Sequence, residues 1–227
     1  MAPSLKEVAV AIMAKAPRPG TVKTRLCPPL LATEAAALYR CFLLDKIAAV
    51  GGLVDTRPVI AYTPDDARPE FDVLAPGFAF VAQDGPDLGA RLHATLAGLL
   101  AAGHAGAIAV DSDTPTLPSG FLQQAVDCLS RPGPDVVLGP TEDGGYYLIG
   151  IRAPHRELFE TMPWSTSDVL EITRRRADAA GLRALCLPSW FDVDTPDDLE
   201  RLRAMLATAN DTTASETRRF LTSWRQQ

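Results

Sequence analysis

The sequence lacks the glycine signatures of two large nucleotide-binding classes. No GxxxxGK[ST] stretch is present, which excludes a P-loop. No GxGxxG follows a strand-like segment, which argues against a Rossmann dehydrogenase. Cysteine is scarce. Cys27, Cys41, Cys128 and Cys186 are widely spaced and form no CxxC pair. That spacing excludes a zinc knuckle or disulfide framework and fits a reducing cytoplasm. Each cysteine reads as a small buried hydrophobe rather than a nucleophile. Positive charge is also short. The 22 lysines and arginines face 28 acids, a formal net charge of −6. Neither nucleic acid nor an anionic membrane is therefore an expected partner. No apolar run approaches the roughly 20 residues of a membrane span. The N-terminal MAPSLKEVAVAIM has no basic segment ahead of a long apolar stretch, so no signal peptide is expected and the cytoplasm is the expected location. Repeats and low-complexity linkers are missing as well.

What is present is an alternation of strand-like and helix-like segments along 227 residues, the length of one α/β domain with a full core. The apolar runs at Glu7–Met13, Arg57–Tyr62, Phe78–Ala82, Ala107–Val110, Asp135–Leu138 and Arg183–Leu187 read as strands, with a further strand at Tyr146–Ile149. Helical stretches are predicted from Thr33 to Val50, Ala90 to Ala102, Ser119 to Leu129 and Asp168 to Ala180, and onward from Pro196. Thr63–Asp66 reads as a polar turn. The alternation predicts a three-layer α/β/α sandwich with a Rossmann-like, mostly parallel sheet. Residues 1–207 are expected to form that domain, and 208–227 a polar tail or short helix.

The chain is organised around Ala107–Pro118, AIAVDSDTPTLP, where a buried strand is expected to break into Asp111-Ser112-Asp113. Ligands of open α/β sheets bind at strand C-termini. Two acids one residue apart at such an end make a hard-oxygen site suited to Mg²⁺ or Mn²⁺. The competing reading is that they cap a turn or the next helix. The first strand is followed by AKAPRPGTVKTRL, whose Lys15, Arg18, Lys23 and Arg25 surround Gly20. Its prolines and glycine preclude a helix, and a basic loop there is well placed to hold phosphates. In QDGPDLGARL, amides at a helix start could face a base or phosphate, although Asp87 would serve equally as a plain cap. GPTEDGGYYLIG reads as a tight turn. Gly144 and Gly145 would let a substrate come close, whereas in a plain hairpin Glu142 and Asp143 would be surface residues. Trp164 is either a lid or platform over a substrate or, more commonly for tryptophan, core. Thr195 and Pro196 read as a helix cap and first turn. That accounts for Asp197 and Asp198 but not for Asp192 and Asp194.

Three segments together, AKAPRPGTVKTRL, DSDTPTLP with GPTEDGGYYLIG, and WFDVDTPDDL, carry a resemblance that runs from about Val8 to Met205. The chain resembles the uncharacterised bacterial glycosyltransferase-A-like family known as rSAM/selenodomain-associated transferases. More distantly it is similar to the molybdopterin nucleotidyltransferases and phospholactate guanylyltransferases. The resemblance implies a nucleotide-diphospho-sugar transferase fold with a divalent metal, Mg²⁺ or Mn²⁺, at Asp111 and Asp113. Asp192 or Asp194 would supply a second metal-side carboxylate. Lys23 and Arg25 would hold phosphates, and Asp87, Leu88, Gly89 and Arg91 would line the nucleotide pocket.

The expected activity is metal-dependent transfer from an activated nucleotide to a small acceptor, glycosyltransferase-like, with Asp143 or Asp192 taking the acceptor's proton. A nucleotidyltransferase is the alternative. It would join an NTP to a small phosphorylated acid or cofactor precursor, with Lys23 and Arg25 stabilising charge at the α-phosphate and pyrophosphate leaving. A non-catalytic nucleotide-binding protein is the third reading. Clustered carboxylates at three strand ends argue against it, because unneeded like charges repel.

Overall fold

The structure, a computed structural model, describes residues 7–224. The predicted domain's first six residues and the tail's last three lie outside them. Seven strands form one sheet in the order β3-β2-β1-β4-β6-β5-β7. They are β1 (Val8–Lys15), β2 (Thr56–Thr63), β3 (Ala79–Ala82), β4 (Gly106–Val110), β5 (Val136–Pro140), β6 (Tyr146–Ile151) and β7 (Ala184–Cys186). All pairings are parallel except those of β6, which runs antiparallel to both β4 and β5.

The central strands are buried on both faces, which is why they read as continuous apolar runs. In β1, Val8, Val10 and Ile12 face one core while Ala9 and Ala11 face the other. The first core is covered by α1 (Ala32–Gly51), α2 (Arg68–Leu74), α4 (Ser119–Ser130), α6 (Pro196–Thr208) and α7 (Ser215–Trp224). The second is covered by α3 (Leu88–Ala101) and α5 (Val169–Ala179). The result is the expected three-layer sandwich.

Chain order reverses between β1 and β4. From β1 the chain builds outward through β2 and β3, then returns to add β4 on β1's other side. Such a switch point leaves a crevice beyond the strand C-termini. The antiparallel β6 adds a second device, because it turns the β5–β6 connection, residues 141–145, to that same carboxyl edge.

Two segments depart from expectation. The polar turn at Thr63–Asp66 continues into α2, seven residues that bury only Phe71 and Leu74, too few to show a helical period. The basic loop after β1 contains one 3-10 turn, Thr24–Leu26, beyond its prolines.

The C-terminal residues pack as α7 on α1. Buried Asp45 of α1 accepts from the backbone N–H groups of Glu216 and Thr217, both at 3.0 Å, and from Thr217 Oγ1 at 2.6 Å. Its carboxylate satisfies amides that a helix start leaves open. Asp45→Ala is expected to cost about 1–2 kcal/mol. It should also raise amide hydrogen exchange across α7 more than across α1, and unchanged α7 protection would refute this anchoring.

Candidate active site

At the end of β1 the chain turns through Gly20, whose φ of +75° suits glycine. The loop returns with Lys23 in the left-handed region at φ 49°, held between buried Val22 and Leu26. Lys23 Nζ lies 2.7 Å from Asp113 Oδ1 and 2.7 Å from Asp194 Oδ1, with its side chain only 5% exposed. Burial works against its charge, but the two carboxylates outweigh burial and hold the ammonium above the usual lysine range. Arg25 is more loosely placed. Its Nη1 is 3.8 Å from Asp194 Oδ2, and the side chain is 71% exposed.

Asp111 continues directly from β4, its N–H donating to the Tyr147 carbonyl at 2.8 Å. Its Oδ1 accepts from Thr114 Oγ1 at 2.6 Å and faces Lys46 Nζ at 3.3 Å. Lys46 in turn donates to Thr114 Oγ1 at 2.6 Å, so the three form a closed chain. Burial raises the Asp111 carboxyl and lowers the Lys46 ammonium, so each charge is sustained by the other. Ser112 Oγ and Tyr39 Oη are 2.8 Å apart, and Tyr39 Oη accepts from Lys15 N at 3.1 Å. Tyr39 thus clips the end of β1 to the end of β4 beneath the crevice.

The late acidic pair arrives from the opposite wall. The N–H of Val193 donates to the Asp113 carbonyl at 3.0 Å. Thr195 and Asp198 form a reciprocal cap on α6, and Asp198 Oδ2 also accepts from Asp194 N at 3.2 Å. Asp192 is half-buried. Burial, with the neighbouring charges of Asp143, Asp194 and Asp111, pushes its carboxyl up to about 7.

A cavity of about 330 Å³ opens between these walls, lined by Lys15, Lys23, Arg25, Gln83, Leu88, Asp113 and Asp194 among others. Gln83, Tyr39 and Lys46 are not singled out by the sequence, since each acts through partners from distant segments, whereas Thr114 sits in DSDTPTLP three residues from Asp111. Gln83 Nε2 donates to the carbonyls of Ala14 at 3.2 Å and Ala61 at 2.8 Å. With both amide hydrogens committed, Oε1 is the atom left for a ligand, and it can only accept.

Several predicted site residues do other work. Arg18 is drawn away from the crevice to Asp66 at 3.1 Å and Glu70 at 2.6 Å, beside α2. Asp87 caps α3, accepting from Ala90 N at 2.8 Å, and Arg91 Nε donates to the Gly85 carbonyl at 2.9 Å. A Cβ on Gly89 would lie 2.6 Å from the Phe159 carbonyl and 3.0 Å from the Trp164 ring. Trp164 packs edge-on against Tyr146, at 6.3 Å between ring centroids, as part of the second core. Of Asp87, Leu88, Gly89 and Arg91, Leu88 is the one that lines the cavity. Asp143 Oδ1 accepts from Thr141 Oγ1 at 2.5 Å and Gly145 N at 3.0 Å, so it braces the β5–β6 turn. Gly144 has φ +93°, and a Cβ there would lie 2.0 Å from the Ser167 carbonyl. Gly144 therefore permits close packing against that neighbouring segment.

The donor set fits a hard divalent cation in kind. Asp113 and Asp194 are carboxylates whose oxygens converge on one point, the position of the Lys23 ammonium. Asp111 lies on the same edge but turns its Oδ1 to Lys46 and Thr114. Among the described residues, no group of three or more His, Cys, Asp or Glu is arranged as a ready metal cage. Among those residues too, no helix is long and apolar enough to cross a membrane.

Solved structures share this fold. A Desulfovibrio desulfuricans G20 protein, described as a candidate nucleotide-diphospho-sugar transferase, is 33% identical, with a TM-score of 0.90 over 97% of this chain and 96% of its own. A cytidylyltransferase from Leptospira borgpetersenii serovar Hardjo-bovis shares the fold at 13% identity and TM-score 0.58, covering 97% of this chain and 96% of that one. Glucosyl-3-phosphoglycerate synthase from Mycobacterium tuberculosis, solved with Mn²⁺, UDP and glucosyl-3-phosphoglycerate, does so at 15% identity and TM-score 0.53, covering 93% and 80%. No curated protein matches the chain in sequence. The fold is that of the nucleotide-diphospho-sugar transferases, and its structural neighbours are transferases. The family model described as "Uncharacterized protein conserved in bacteria (DUF2064)" matches residues 46–166, and the chain belongs to that family.

Proposed function

We propose that the crevice is the active site of a metal-assisted transferase that takes a glycosyl group from a nucleotide-diphospho-sugar to a small acceptor. The observation that carries this reading is the convergence of Asp113 and Asp194 on one cationic point beside the exposed guanidinium of Arg25. Similarity to the Desulfovibrio protein supports it. Mg²⁺ or Mn²⁺ bound by these carboxylates would neutralise the departing diphosphate. Arg25 and Lys15 would grip the phosphate oxygens. Asp192, with its carboxyl near neutrality, would accept the proton of the acceptor hydroxyl. Gln83 Oε1 would accept from the base, and Leu88 would offer it an apolar wall.

The nucleotidyl alternative needs more positive charge on a triphosphate than this crevice leaves free. Arg18 is committed to Asp66 and Glu70. One assay separates the two readings. The protein with Mn²⁺ would be offered a panel of nucleotide sugars, then each NTP with small phosphorylated acids. Release of a nucleoside diphosphate supports glycosyl transfer, and pyrophosphate from an NTP supports the alternative. Nucleotide binding without either product would support the non-catalytic reading.

The proposed base gives a further expectation. The carboxyl of Asp192 is raised in the fold from 3.8 to about 7. Its contribution to stability is therefore present at low pH and lost as the pH rises from 3.8 through about 7. Asp192→Asn removes that loss, so the variant is expected to melt above the wild type at about pH 8 while losing activity. Equal melting temperatures at that pH would refute the electrostatic account.

A further inference from the structure

Lys23 occupies the place that the proposed chemistry assigns to another cation. Its Nζ sits 2.7 Å from each of Asp113 and Asp194, the two carboxylates that converge. A divalent ion and an ammonium cannot share that point, because like charges a few ångströms apart repel strongly where water is scarce. We infer that Lys23 is the resident cation of the free crevice, and that it gives way to a divalent cation only when phosphate draws it off, so that metal and nucleotide bind cooperatively. The inference rests on the transferase reading above.

The charges explain why neither ligand should bind well alone. Asp113 and Asp194 hold Lys23 between them, and Arg25 Nη1 lies 3.8 Å from Asp194. Phosphate arriving first meets two carboxylates that already engage those cations. A metal ion arriving first must expel a lysine whose side chain is almost wholly buried, and leave it no partner. Together the two resolve both problems: phosphate oxygens take the ammonium, and the vacated carboxylates take the metal.

The chain is built for such an exchange. Lysine carries a compact charge on a flexible stem. The backbone at Lys23 is in the left-handed region, while its neighbours Thr21, Thr24 and Arg25 are exposed. Coupling of this kind is reciprocal, so nucleotide must tighten metal binding by the factor that metal tightens nucleotide.

The test titrates Mn²⁺ into the full chain, with and without pyrophosphate as a base-free phosphate probe. Protein-bound Mn²⁺ is read from the enhancement of water-proton relaxation, which separates it from small Mn²⁺–pyrophosphate complexes. Wild type should bind Mn²⁺ at least about tenfold more tightly with pyrophosphate than without. Lys23→Met should bind Mn²⁺ alone at least about tenfold more tightly than wild type does. Lys23→Arg keeps a cation in place and should leave Mn²⁺ alone weak. Wild-type affinity indifferent to pyrophosphate overturns the inference, as does a folded Lys23→Met that binds Mn²⁺ no better than wild type. Should Lys23→Met fail to fold, the wild type and Lys23→Arg decide. If neither pyrophosphate nor any nucleotide binds the wild type, with or without Mn²⁺, the transferase reading fails as well. Nucleotide binding that leaves Mn²⁺ affinity unchanged removes only the coupling.

Discussion

Asp113→Asn is expected to lower turnover about 10²–10³-fold in the nucleoside diphosphate release assay, the usual cost of losing one preorganised charged group at a reacting centre. The substitution is nearly isosteric. The Asp113 carbonyl still receives the Val193 N–H, and Lys23 still pairs with Asp194 at 2.7 Å. The fold should therefore persist, and the loss should fall on the chemical step and on metal affinity. Asp143→Asn is the informative contrast. The amide oxygen of asparagine can accept from Thr141 Oγ1 and Gly145 N as the carboxylate does. A drop of less than about tenfold is expected for it if Asp192 is the base. Equal losses in the two variants would make Asp143 part of the chemistry and weaken the assignment to Asp192. Unchanged turnover in Asp113→Asn would remove that residue from the machinery.

Lys46→Met should be the most damaging single change to stability. It retains the apolar stem but leaves the Asp111 carboxylate beneath the crevice without its cation. Breaking a fully buried ion pair by deleting one partner costs about 3–5 kcal/mol, and the 21% exposure of the Asp111 side chain puts this pair at or below the lower end. The penalty should depend on pH in a definite sense. Burial already raises the Asp111 carboxyl above its ordinary value, and removing Lys46 raises it further. A carboxyl whose folded value exceeds its unfolded value stabilises the fold while protonated, and that stability is lost as pH rises through the folded value. Denaturation at about pH 8 should therefore show the full deficit, and at about pH 5 a smaller one. An equal deficit at both would mean that packing, rather than the stranded charge, sets the cost. Thr114 should report on the same chain of contacts. Thr114→Val removes the hydroxyl that accepts from Lys46 and donates to Asp111, leaving the direct 3.3 Å pair.

The elements that position the crevice are legible in the order of residues along the chain. Val8–Ile12 and Gly106–Val110 are buried on both faces, and that burial writes itself into the chain as unbroken apolar runs. The reversal to acid at Asp111 marks a strand end for the same reason. Thr195-Pro196 with Asp198 marks a helix start through contacts three residues apart. Helix α2 is not legible in this way, because seven residues with two buried side chains make no period.

Composition, the alternation of strand and helix, and the placing of acids at strand ends are thus determined by the sequence itself, because they follow from burial and hydrogen bonding among near neighbours. Which charges meet is decided only by the tertiary structure. Lys23 lies 171 residues from Asp194, Lys46 lies 65 from Asp111, and Arg18 lies 52 from Glu70. An ion pair is a choice among many partners of equal chemistry. Nothing in the local chain distinguishes a lysine that will sit between two carboxylates from an arginine that will be spent on a neighbouring helix. Trp164 and Gly89 show the same in packing, since the fold brings their segments together with no room for a Cβ. Strand order at the switch between β1 and β4 makes that choice, by bringing loops from three parts of the chain to one edge.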